Sequence, residues 1–172
     1  MRHLALWIIG SLVFTSVGAV QADEVSDAAA RNREVSVLFA AGDVRGADAL
    51  GERVLAENQT ALGPSHPEVA RSLYQLGVMN QRRGRYGEAE RQHLQALQIR
   101  EATLPANDLA IADSVMALGA MYRNRGWYGQ AEPFLKRGLT IREAALGPQH
   151  PDVAHSLGSD AKLTKYCSTM GV

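Results

Sequence analysis

The sequence predicts an all-α fold: an α-solenoid of about three stacked antiparallel helix pairs, the first of them degenerate. The leading observation is an internal repeat. Gly84-Arg85-Tyr86-Gly87-Glu88-Ala89-Glu90 returns 42 positions later as Gly126-Trp127-Tyr128-Gly129-Gln130-Ala131-Glu132. Leu62-Gly63-Pro64-Ser65-His66-Pro67-Glu68-Val69-Ala70 returns 84 positions later as Leu146-Gly147-Pro148-Gln149-His150-Pro151-Asp152-Val153-Ala154. Leu104-Pro105-Ala106-Asn107-Asp108-Leu109-Ala110-Ile111-Ala112 falls between them on the same register. Similarity at a fixed period of this length marks stacked supersecondary units. The second observation is apolar spacing of three and four residues inside each copy, the period of a helix. The third is that no stretch alternates as a half-buried strand does, so essentially no sheet is expected.

In chain order, the first 22 residues read as a secretory signal. Arg2 and His3 give a positive start, Leu4 to Phe14 is apolar apart from Gly10 and Ser11, and Val20-Gln21-Ala22 offers small residues before a cut at Asp23. The polar interruptions weaken the alternative, an uncleaved membrane anchor. The mature chain from Asp23 is expected to be exported, to the periplasm in a Gram-negative source and otherwise secreted, with no membrane contact after cleavage. Residues 23–158 are expected to form the solenoid. A faded first copy starts at Gly42, with Val44, Ala47 and Leu55 matching Tyr86, Ala89 and Leu97.

The next unit opens at Pro67, a good first helical residue because its missing N–H has no partner there anyway. Ser65 or His66 is the N-cap, and Glu68 suits the helix dipole. Val69, Leu73, Leu76 and Asn80 share one face. Gly77 and Gly119 lie mid-helix, where glycine costs about 1 kcal/mol against alanine; a close neighbouring helix accounts for that cost. Gly84 and Gly126 fit left-handed C-caps. A second helix starts near Tyr86, carrying Tyr86, Ala89, Leu94, Leu97 and Glu101, and in the next copy Tyr128, Ala131, Leu135, Leu139 and Ile141. His93 is expected to be a packed histidine with a hydrogen-bond partner. Residues 159–172 are expected to form a polar tail or a short capping helix.

Net charge is zero, with 18 basic and 18 acidic residues, so no global field favours nucleic acid or an anionic membrane. The single cysteine, Cys167, cannot staple the fold and reads as a tail thiol without a role. His66, Asp108 and His150 recur in register. Equivalent residues of stacked units lie roughly 10 Å apart, too far to share an ion at about 2 Å bonds, and they read as caps. No nucleophile elbow, phosphate loop or Cys-x-x-Cys occurs. No cofactor, metal or enzymatic activity is expected. Arg82, Arg83, Arg85, Arg123, Arg125, Lys136 and Arg137 interleave with Glu88, Glu90 and Glu132, and read as a solvated, self-neutralised face.

With these residues in hand, the unit resembles the tetratricopeptide repeat (TPR) in its long form, as in kinesin light chains. The resemblance rests on Leu73, Leu76, Gly77, Ala89 and Ala96 in one copy, and on Val115, Leu118, Gly119, Tyr122 and Ala131 in the next. Departures are Asn80 opposite Tyr122, His93 for a large apolar residue, Gly138 for alanine, and Arg31 and Glu34 at positions apolar elsewhere. The last two suggest a polar first helix, since terminal repeats are often atypical. The resemblance implies that the first helix of each unit lines a concave groove binding a peptide or protein. It assigns that wall to Arg71, Tyr74, Gln75, Val78, Gln81 and Arg82 from one unit, and to Asp113, Met116, Ala117, Ala120, Arg123 and Asn124 from the next. The three arginines suit a partner with acidic residues. The expectation is a non-enzymatic adaptor. The alternative is a self-assembly module, a homo-oligomer stacking through its incomplete repeat ends.

Overall fold

A computed structural model describes the backbone of residues 6–156 and the side chains of residues 21–156. The expected tail, Cys167 and most of the expected leader lie outside the described side chains. Every regular element among the described residues is helical: α1 (Leu6–Ala40), α2 (Val44–Leu62), α3 (Pro67–Arg82), α4 (Tyr86–Thr103), α5 (Leu109–Asn124) and α6 (Tyr128–Leu146), with α7 covering 151–156. The chain divides into two compact units, Met1–Val69 and Ala70–Val172.

Local chemistry sets the helix ends. The imidazole Nδ1 of His66 accepts from the Glu68 N–H at 3.1 Å, the Asp108 carboxylate accepts from Ala110 N–H at 2.7 Å, and His150 Nδ1 accepts from Asp152 N–H at 3.2 Å. Three residues spaced 42 apart thus cap three successive first helices. At the other end, Gly42, Gly84 and Gly126 adopt φ of 85°, 75° and 76°. There the N–H groups of Asp43, Arg85 and Trp127 reach back to the carbonyls of Leu38, Asn80 and Tyr122 at 3.0, 2.9 and 2.9 Å. Six-to-one bonds around a left-handed glycine close the last turn and aim the chain into the second helix.

In the first unit α1 packs on α2, with Ala28, Asn32 and Val35 buried from α1 and Ala47, Gly51 and Val54 from α2. Asn32 donates to the Glu68 carbonyl at 3.0 Å and to its carboxylate at 2.8 Å. Arg31 bonds Asn58 Oδ1 at 3.1 Å and pairs with Glu57.

In the second unit, α4 packs on α5 and α5 on α6. The core is Ala89, Leu97, Ile111, Ala112, Val115, Leu118, Met121, Tyr122, Ala131, Leu135 and Ile141. Mid-helix glycines bring the paired helices together. A Cβ on Gly77 would stand 2.7 Å from the His93 ring, and one on Gly119 would stand 2.6 Å from Leu135. The first pair inverts the same two positions: Val35 stands where Gly77 and Gly119 stand, and Gly51 where His93 and Leu135 stand, both buried. By register, the small and large residues exchange places in the first pair.

On α4, His93 takes the core-facing position expected of it, in register with Leu135, whereas Leu94, one residue on, is 42% exposed. One helical residue rotates the side chain by about 100°, enough to trade core for surface. His93 lacks the expected hydrogen-bond partner: it is fully buried with both ring nitrogens unpaired among the described residues.

A second periodic contact joins one pair to the next helix. Arg100, at the end of α4, is 7% exposed and donates through Nη1 to Ala110 O and Ser114 Oγ of α5, each at 2.7 Å. Arg142 of α6 donates to Ser156 Oγ of α7 at 3.0 Å and pairs with Asp113 at 2.9 Å.

Two predictions follow from these contacts. In urea denaturation, Gly77→Val alone should destabilise by about 1–3 kcal/mol through overpacking. Gly77→Val with His93→Gly, imitating the first pair, should be more stable than the sum of the single losses by at least about 0.5 kcal/mol; strict additivity would refute the reciprocal packing. Ser114→Ala should cost about 1–3 kcal/mol because it strips an acceptor from a buried guanidinium. Ser156→Ala should cost less, since Arg142 keeps Asp113 and is more exposed; equal losses would refute this distinction.

Candidate functional site

The residues assigned to the wall lie on α3 and α5, within the second unit. Arg71 and Arg82 of α3 and Asn124 of α5 are exposed. Tyr74, Gln75, Val78, Gln81, Asp113, Met116, Ala117, Ala120 and Arg123 are half-buried. None is in the interior, which belongs to the alternate stripe of Leu73, Leu76 and Met79 on α3 and Val115, Leu118 and Met121 on α5. The division follows from helical period: residues one or two steps off the inward stripe flank it at the surface.

Tyr74 and Met116 occupy the same register position, 42 residues apart, and both are held from behind. The Tyr74 ring lies 5.5 Å from the His93 ring, tilted by 59°, and the Arg100 guanidinium stands 4.8 Å from its centroid. Burial raises the Tyr74 phenol above its usual value, and Asp113 adds to the effect, so it remains a neutral donor at physiological pH. Met116 fits a notch left by Gly138: a Cβ there would meet the Met116 sulfur at 2.5 Å. The alanine of a usual repeat would overlap the thioether, which accounts for Gly138.

Charge is distributed around these two. Burial lowers the Arg100 pKa from its usual value, while Tyr74 and Asp113 offset part of that cost. Asp113 is bound by Arg142. Arg100 and Arg142 were not among the sequence-assigned wall residues. Their signal is the 42-residue recurrence of Arg with Ser fourteen positions on, visible only when two helices are compared.

Four of the interleaved basic residues sit in ion pairs. Arg85 pairs with Glu88, Arg125 with Glu90, Lys136 with Glu132 and Arg137 with Glu101. Arg125 lies 3.4 Å above the Trp127 ring centroid. Tyr122 donates to Glu90 at 2.6 Å, and burial plus that bond raise its phenol to about 12. No group of three or more His, Cys, Asp or Glu with metal-binding spacing occurs among the described residues.

Comparison with known proteins gives a consistent picture. Two tetratricopeptide repeat family models match the chain, one over residues 26–102 and the other over 111–152. No curated protein matches it in sequence. Its fold resembles that of a Podosopora anserina protein described as a kinesin light chain with nearly identical TPR-like repeats, at a TM-score of 0.70 and 24% identity over 78% of this chain and 64% of that one. It also resembles BtubC (BKLC) from P. vanneervenii, at a TM-score of 0.75 and 16% identity over 82% of this chain and 56% of that one. The chain therefore spans about three fifths of the length of these structures. Repeats of this kind generally mediate protein–protein interaction, on folds that are typically non-enzymatic scaffolds. From α1 to α6 the helix pairs, their caps and both family models agree: the chain belongs to the tetratricopeptide repeat family, with a fold like that of kinesin light chain repeats.

Proposed function

We propose that this chain is an adaptor that holds a peptide or protein segment against the wall formed by α3 and α5, without chemistry of its own. The observation that carries this reading is the pair Tyr74 and Met116. Both are large, half-buried, in the same register on successive first helices, and fixed from behind by His93 with Arg100 and by the Gly138 notch. Side chains already held in place lose little freedom on binding, so more of their contact energy appears as affinity. Arg71, Arg82 and Arg123 on the same two helices favour a partner carrying carboxylates.

Self-assembly through the repeat ends has less support. At the first pair, Arg31 and Glu57 occupy the register positions filled by Leu73 and Ile99 in the second pair and by Val115 and Ile141 in the third. An ion pair in place of two buried apolar side chains makes this end costly to desolvate against another copy.

Export fits the same reading. Gln21, Ala22, Asp23, Val25, Ser26 and Asp27 are exposed, and Ala28 is the first buried residue described on α1. A cut after Ala22 would spare the packing of the first pair.

Two experiments test these proposals. Chain captured with extracytoplasmic extract should retain a partner that an Arg71→Glu/Arg82→Glu variant, folded by circular dichroism, holds at least tenfold more weakly. Retention of the same proteins by both baits would remove the wall as the binding surface, and recovery of further copies alone would favour self-assembly. For export, intact-mass analysis of the chain expressed with its leader in a Gram-negative host should give a periplasmic product starting at Asp23; a product that keeps the leader would refute the cut.

A further inference from the structure

His93 is an exception within its own array. Its position is filled by Leu135 in the third pair and by Gly51 in the first. Its ring is fully buried against the Gly77 backbone notch, with both nitrogens unpaired among the described residues. One turn further along the same interface, Asn80 is bonded to Gln92 through its amide but keeps a buried, unpaired Oδ1. The equivalent of Asn80 in the third pair is Tyr122, whose hydroxyl is satisfied by Glu90. Three orphaned polar atoms therefore lie between α3 and α4, where the third pair has a leucine and a satisfied tyrosine. Unpaired buried polar atoms cost stability, a cost that Leu135 and Tyr122 do not bring to the equivalent positions of the third pair.

The neighbours of His93 make that cost dependent on protons. From α3 the group packed on the ring is the Tyr74 phenol, and from α4 the nearby charge is Arg100. Asp113 of α5 and Arg142 of α6 act on Tyr74 rather than on the imidazole. A proton on His93 would thus be buried beside a cation, with no carboxylate among the described residues acting on it. The Tyr74 ring rests on the imidazole, so what happens to His93 is felt on the wall.

We propose that His93 is an acid-sensitive latch behind the binding wall: its protonation opens the α3–α4 pair, displaces Tyr74 and releases whatever the wall holds. The release step rests on the adaptor reading above; the opening step does not. Burial, and secondarily Arg100, lower the His93 pKa from 6.5 to about 4. Because the folded value is depressed, the unfolded or opened state binds the proton more readily. Stability is then complete above the unfolded value of 6.5 and is lost as pH falls toward about 4. Between pH 7.5 and pH 5 the opening equilibrium should shift on the order of 30-fold.

The test is amide hydrogen exchange of the full chain, read by mass spectrometry without ligand and corrected for intrinsic rates. Peptides from 70–104 should lose protection on the order of 30-fold between pH 7.5 and 5, while those from 111–146 lose much less. His93→Leu, copying Leu135, should abolish the extra loss in 70–104. Equal loss in both segments, or an unchanged pH response in His93→Leu, would overturn the latch. If that variant does not fold, the parent's own imidazole decides: an NMR titration with His93 protonating near 4 supports the proposal, and one near 6.5 overturns it. Because no ligand is present, failure here leaves the adaptor reading standing. Failure of the capture experiment, in turn, leaves the opening step standing and removes only its consequence for release.

Discussion

The rest of the structure depends on how closely the two helices of a pair approach. Gly77 and Gly119 lack a side chain where the facing helix brings His93 and Leu135, and in the first pair the same register positions hold a buried Val35 and a buried Gly51. This is a constraint on summed volume rather than on residue type. Interiors pack densely enough that an added methyl must displace something. The approach also fixes the wall. Tyr74 lies three residues before Gly77 and rests on the ring that fills the glycine notch. Met116 lies three residues before Gly119 and is seated at Gly138.

A second layer of order comes from buried polar contacts rather than exposed ion pairs. Arg85–Glu88, Lys136–Glu132 and Arg137–Glu101 are largely solvated, and such pairs contribute about 0–1 kcal/mol each. Arg100 is different. Its guanidinium is nearly buried and spans from α4 to a backbone carbonyl and a hydroxyl of α5. Removing it from water is costly, and the two short bonds offset that cost only in one geometry, so the contact specifies how α5 follows α4 more than it adds stability. Its guanidinium also covers the Tyr74 ring, so the joint between helix pairs and the candidate binding wall share a residue.

Features carried within one helix or one turn were legible in the sequence. Pro67, Gly84 and Gly126 announce their positions through φ and hydrogen-bond requirements that no tertiary contact alters. Features carried between helices were less so. His93 could be placed on the core-facing side of its helix, but not opposite Gly77 with both ring nitrogens unpaired among the described residues. Val35 with Gly51, and Arg100 with Ser114, were missed because neither residue of a pair is unusual alone. Their meaning appears when two positions from different helices are compared across the period. The wall residues were assigned by the resemblance to the repeat family, and the helical period sets them off the inward stripe. The groups that hold them, His93, Arg100 and Gly138, come from the partner helices and could not be read from it.

The reciprocal fit of each helix pair can be observed without perturbing it. In a nuclear Overhauser experiment on the isotopically labelled chain, the Gly77 α-protons should give strong cross-peaks to the His93 ring, the Gly119 α-protons to the Leu135 methyls, and the Val35 methyls to the Gly51 α-protons. All three contacts together would establish one rule of packing for the three pairs. Absence of the Val35–Gly51 contact with the other two present would restrict the rule to the second unit, and absence of the Gly77 and Gly119 contacts would contradict it.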